Sequence, residues 1–170
     1  ESSLLYQLES RSALDVTNRW EPGEVVQPAA GASQVRFNDV RVDNLAQRFY
    51  RAKAFDANTA GMAVAIHDSG WTRATGLSTT NWNYFVMVES AKEALRSDGT
   101  PFVVVGDTGI KNGLLLAGSA PRFPILISLA AEAIADDEIA PLASYVAAGG
   151  FILAGSSSFT RSTDGSFRGN

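Results

Sequence analysis

From Gly61 onward, short apolar runs alternate with stretches long enough for a helix, and this alternation leaves few folds open. Met62–Ile66 is the first run and Phe102–Val105 the second. Pro124–Leu129, with Ile125–Ser128 as its strand, is the third, and Phe151–Ala154 the fourth. Strands this uniformly apolar are buried on both faces, the condition of a parallel sheet with crossover helices. The spacing predicts a helix from about Asn81 to Ser97, with Phe85, Val88, Lys92 and Leu95 on one side and Asp98-Gly99 as its stop. Asp136-Asp137 opens a further helix that carries Ile139, Leu142 and Val146 on one face. Pro141 is read near its first turn, where a missing N–H costs least, and Gly149-Gly150 ends it. Trp71–Thr80 reads as a polar loop.

The chain before Gly61 follows a different pattern. Ser3–Leu8, Val25–Val26 after the turn-like Glu21-Pro22-Gly23, and Phe49–Phe55 are β-like runs. Val35, Phe37, Val40 and Val42 form a near-alternating strand broken at Asn38-Asp39. The expected organisation is therefore a β-rich segment over 1–60, either the end of a β-sandwich or a packing arm. An α/β domain follows over 61–170.

Composition narrows the function classes. The formal charge is −4 and the 14 Lys and Arg residues are scattered, so no basic stripe for nucleic acid forms. The apolar runs are far shorter than the roughly 20 residues a membrane-spanning helix needs. The absence of cysteine removes disulfides, thiolate nucleophiles and cysteine metal sites together, and leaves the compartment open, an exported protein included. With one histidine and no spaced ligand motif, neither a metal nor an organic cofactor is expected.

Open parallel sheets bind ligands beyond the carboxyl ends of their strands. Those ends hold His67 and Asp68, then Asp107, then Ser128 with Glu132 nearby, then Ser156, Ser157 and Ser158. The candidate ligand-binding residues are accordingly His67, Asp68, Asp107, Ser156, Ser157 and Ser158, and hydroxyls beside carboxylates suit a polyol better than an anion. Each also has a structural reading, since Asp and Ser cap turns in such positions. Gly155-Ser156-Ser157 begins like a nucleophile elbow but lacks the second glycine, so no catalytic residue is assigned. Trp71, Trp82 and Tyr84 could stack on a sugar or pack the loop.

Three segments carry a resemblance: Met62–Trp71, Lys92–Asp107 ("KEALRSDGTPFVVVGD") and Phe123–Ser156, within which "SYVAAGG" at Ser144–Gly150 is the most specific piece. Together they resemble the glutamine-amidotransferase-like, flavodoxin-like domain of microbial carbohydrate-active enzymes, such as the trimerisation domain of certain β-galactosidases. The wider amidotransferase family uses a Cys on an elbow after a strand of this sheet. Here Ser156 or Ser157 stands near that place and glutaminase chemistry is not expected. The resemblance implies a non-catalytic accessory or assembly domain of a larger glycoside-hydrolase-type protein. Its partners would be other domains or further copies of the chain, with carbohydrate as a ligand, and no nucleic acid or membrane span. A domain of this kind usually continues past its fourth strand, which implies a piece of a larger enzyme. The alternative is a small hydrolase or sugar-binding enzyme using His67, Asp107 and Ser157 at the strand-end edge.

Overall fold

The computed structural model describes residues 4–14, 19–37, 47–56, 62–75 and 84–169. The chain divides into two compact units, Glu1–Gly61 and Met62–Asn170. In the first, strand β1 (Leu4–Arg11) pairs antiparallel with both β2 (Glu21–Val26) and β3 (Phe49–Asp56). Glu21-Pro22-Gly23, expected as a turn, lies inside β2. The register slips between Gln7 and Glu9 opposite it, and that bulge accommodates a proline in the ladder. Val35–Phe37 are irregular rather than strand, and residues 38–42 of the expected alternating run lie outside the described residues.

The second unit is α/β. It contains β4 (Val64–Asp68), α1 (Gly70–Thr75), α2 (Tyr84–Asp98), β5 (Phe102–Gly106) and α3 (Asp107–Lys111). A small hairpin, β6 (Leu116–Ala117) with β7 (Ala120–Pro121), leads to β8 (Ile125–Ser128), α4 (Asp136–Ala147) and β9 (Phe151–Ala154). β4 pairs parallel with β5 and β8, and β8 pairs parallel with β9, giving the order β5-β4-β8-β9. Chain order therefore reverses at β4, whose neighbours are the strands that follow it on either side.

Val64, Ala65, Ile66 and His67 are all buried, as a central parallel strand requires. Side chains alternate between sheet faces, so Ile66 and His67 point opposite ways. Ile66 packs with Tyr84 and Val88 of α2 and with Ala130 and Ala131, and Phe102 and Ile127 extend this cluster. Burying each large aliphatic side chain there contributes about 1.5–3 kcal/mol. α2 ends in a glycine-dependent cap: Gly99 has φ +75°, the Gly99 N–H donates to Arg96 O at 3.0 Å, and Thr100 N–H donates to Leu95 O at 2.9 Å. Gly149, at φ +96°, closes α4 in the same way.

Several sequence expectations shift. β4 begins two residues later than the Met62–Ile66 run, so His67 and Asp68 belong to the strand rather than to the turn after it. Residues 71–75 form the helix α1 instead of a loop. On α2 the buried stripe is Tyr84, Val88 and Lys92, and Phe85 lies toward solvent. On α4 the buried stripe is Glu138, Leu142 and Tyr145, while Ile139 and Val146 are exposed. Pro141 is the sixth residue of α4, not in its first turn. The carbonyl it leaves unbonded belongs to Asp137, an exposed residue, so water can satisfy it.

Candidate functional site

Reversal of strand order in an open α/β sheet opens a crevice at the strands' carboxyl ends. The corresponding position here is between β4 and β8, where His67 and Ser128 stand side by side. His67 Nδ1 lies 2.9 Å from Ser128 Oγ, and His67 Nε2 lies 3.0 Å from Asp107 Oδ1. Both His67 and Ser128 are fully buried. Phe159, in the turn after β9, stacks on the imidazole with ring centroids 6.3 Å apart. Asp107 opens α3, and its second oxygen accepts the Trp71 backbone N–H at 3.1 Å. Gly70 sits beside that carboxylate: a Cβ there would come within 3.2 Å of Asp107 Oδ2.

Glu138 completes the cluster from the third residue of α4. Its Oε1 accepts the Ala135 backbone N–H at 3.1 Å and the Trp71 indole N–H at 3.1 Å. The first bond is the N3 half of a capping box, since Ala135 at the N-cap has no side-chain acceptor to supply the other half. Oε2 is buried and accepts no hydrogen bond, although the residue is only 1% exposed. Burial, reinforced by the nearby Asp107 charge, pushes the Glu138 carboxyl up to about 7 from its ordinary 4.5. The Ala135 and Trp71 donors and the neighbouring His67 work against that rise.

The remaining candidates serve the frame. Asp68 receives Arg73 in a two-pronged bond, Nε and Nη2 each donating at 2.8 Å. The Arg73 guanidinium lies over the rings of Tyr84 and Phe85, so this pair fastens α1 to α2. Tyr84 Oη accepts the Ser69 N–H at 2.6 Å and donates to His67 O at 3.4 Å, which holds the end of β4. Burial raises the Tyr84 hydroxyl well above its ordinary value. Ser69 and Thr72 hydroxyls both donate to Ala133 O.

Ser156, Ser157 and Ser158 lie in the turn after β9, not at a strand-to-helix junction. The positive φ of that turn falls on Phe159 rather than on a serine. Ser158 Oγ donates to Ser128 O at 2.6 Å and accepts the Gly155 N–H at 3.0 Å, so it closes the turn. The structure thus joins His67 and Asp107, and adds Ser128 and Glu138. It gives Asp68 and Ser158 partners of their own. Glu132 pairs with Arg161 at 3.3 Å. Among the aromatic candidates, Trp71 bonds to Glu138, Tyr84 is buried, and Trp82 lies outside the described residues.

The signal for Glu138 was in the helix phase: with the start at Asp136, a Glu-Leu-Tyr stripe at 138, 142 and 145 puts a carboxylate on the buried side. No protein-family model, curated protein or solved structure matches the chain.

Proposed function

We propose that the chain is a non-catalytic accessory domain that assembles with a second copy of itself, or with another domain, inside a larger carbohydrate-active protein of glycoside-hydrolase type. The observation that carries this reading is the bare face of β9. Phe151 is 62% exposed, Leu153 46% and the adjacent Ile125 36%. Phe151 pairs in register with Ile125, and Leu153 with Ile127, so these side chains share one face of the sheet. The α2 cluster covers that face at Ile66 and Ile127 and leaves β9 bare. Among the described residues β9 is also the last strand on its side of the sheet, with an edge that takes no further strand. Contiguous exposed apolar side chains of this kind mark association surfaces.

The carbohydrate-active context rests on the resemblance described above, and so does the flavodoxin-like, glutamine-amidotransferase-like assignment. The strand order, with the first strand between the second and third, is compatible with it. The absence of cysteine and the engagement of Ser128 and Ser158 in fixed internal bonds support a non-catalytic role. The His67–Asp107 contact favours a second reading, a sugar-binding or hydrolytic site at the strand ends with His67, Asp107 and Ser157. The serine on His67 is the buried Ser128, however, which leaves a nucleophile without access.

Light scattering on the purified chain, paired with chromogenic aryl glycosides, separates the two readings. The assembly reading expects a mass above the 18.0 kDa monomer, returned to monomer by Leu153→Asp, and no glycoside turnover. A monomeric parent chain that cleaves a glycoside, with activity lost in Asp107→Asn, overturns it.

A further inference from the structure

We propose that His67, Asp107 and Glu138 form a binding site for one divalent transition cation of the Zn2+ or Mn2+ kind, clamping β4, α3 and α4 together. The three residues each offer a ligand atom, and these atoms lie within 4.8 Å of one another. The His67 Nε2–Asp107 Oδ1 separation of 3.0 Å is already that of two neighbouring ligands on one ion. Metal–ligand bonds of about 2.0–2.2 Å place neighbouring ligand atoms about 2.8–3.1 Å apart at octahedral angles and about 3.3–3.6 Å apart at tetrahedral ones. Closing the site therefore needs only a modest movement of the Glu138 carboxylate.

The second line of evidence is the orphaned oxygen. Glu138 is 1% exposed, yet Oε2 has no donor. A buried carboxylate oxygen without a partner costs desolvation energy and nothing here returns it. Among the described residues, the donors that reach Asp107 and Glu138 besides the His67 ring are the Trp71 backbone and indole N–H groups and the Ala135 N–H, none of them an Arg or Lys side chain. When ionised, the Asp107 and Glu138 carboxylates put negative charge side by side at this point, which a divalent cation neutralises.

Ser128 suits both states of the ring. Without metal, a ring protonated on Nε2 donates to Asp107 and accepts the Ser128 hydroxyl at Nδ1. With metal, Nε2 carries the lone pair to the ion, and Nδ1–H donates to Ser128 Oγ. A hydroxyl can donate or accept, so one side chain orients either tautomer. An imidazole nitrogen beside two carboxylate oxygens favours Zn2+ or Mn2+ over Mg2+ and Ca2+, which prefer all-oxygen sites. Three protein ligands leave at least one position for water, and Asp107, with a side chain 15% exposed, reaches solvent where the His67 ring does not.

Because His67 is the chain's only histidine, its ring can be read without assignment by nitrogen-15 NMR. The experiment titrates Zn2+ into chelator-stripped protein and follows both the ring nitrogens and the binding heat. The expected result is one Zn2+ per chain with a large Nε2 shift. Glu138→Gln should weaken binding at least about tenfold, and Ser128→Ala, which removes only the orienting partner, about 10- to 100-fold. Mg2+ should leave the ring signals in place. Absence of binding, or binding that does not move the His67 nitrogens, overturns the proposal, and that readout on the parent chain does not depend on any variant folding.

Discussion

Glu138→Gln provides a direct measure of what the buried carboxylate costs in metal-free protein. The folded carboxyl sits at about 7 against an ordinary 4.5, so the folded state holds the proton more tightly than the unfolded one. The stability contributed by the protonated acid is fully present below about pH 4.5 and is lost as pH rises through about 7. A rise of about 2.5 units at about 1.4 kcal/mol each gives roughly 3 kcal/mol. Glutamine keeps an oxygen for the Ala135 and Trp71 N–H groups and removes the charge. In chelator-containing buffer the variant should match the parent chain near pH 5 and exceed it by up to about 3 kcal/mol near pH 8, on the order of 10 °C in melting temperature. Paired thermal melts across that range measure it. A stability difference that is the same at both ends would refute the reasoning, because a substitution acting through packing alone has no reason to track the proton.

Two further substitutions test the frame around the site. Gly150→Ala should destabilise by about 3 kcal/mol, read by denaturant unfolding, because the added Cβ would fall inside the Tyr145 ring, whose hydroxyl is fixed to Phe123 O at 2.7 Å. Asp68→Asn should cost about 2–3 kcal/mol by breaking the two-pronged bond to Arg73, and Arg73→Ala added to it should cost little more, since the two act as one unit.

The parallel sheet was legible in the sequence because its strands are continuously apolar: β4 and β5 are buried nearly throughout, and β9 keeps the same apolar run although it is mostly exposed. Phe102–Val105, Ile125–Ser128 and Phe151–Ala154 needed no pattern finer than continuous apolarity. The same criterion misplaced β4, whose last residues, His67 and Asp68, are polar and yet lie inside the strand. His67 is held in the buried strand by partners distant in sequence, Ser128 and Asp107, which a local reading cannot see, and Asp68 by Arg73 five residues on, in α1, which the sequence reads as a loop. The short helix α1 has no apolar periodicity, and tertiary bonds from Ser69 and Thr72 to Ala133 hold it. On α4 the apolar side chains Ile139 and Val146 suggested one face, but the buried stripe includes Glu138. His67 and Asp107 were recognisable as strand-end residues. Glu138 was not, because apolarity alone reads the face of α4 from Ile139 and Val146, whereas the phase that buries Leu142 and Tyr145 also buries Glu138.

The assembly claim is tested most directly by amide hydrogen exchange on the parent chain at low and at high protein concentration. Raising the concentration should slow exchange in Ile125–Ser128 and Phe151–Ala154, with β9 the most affected because its edge and its face are both open. Leu153→Asp should abolish the concentration dependence. Exchange in β9 that is the same at every concentration, or protection that appears elsewhere and survives Leu153→Asp, would contradict the claim that the bare face of β9 is where this protein associates.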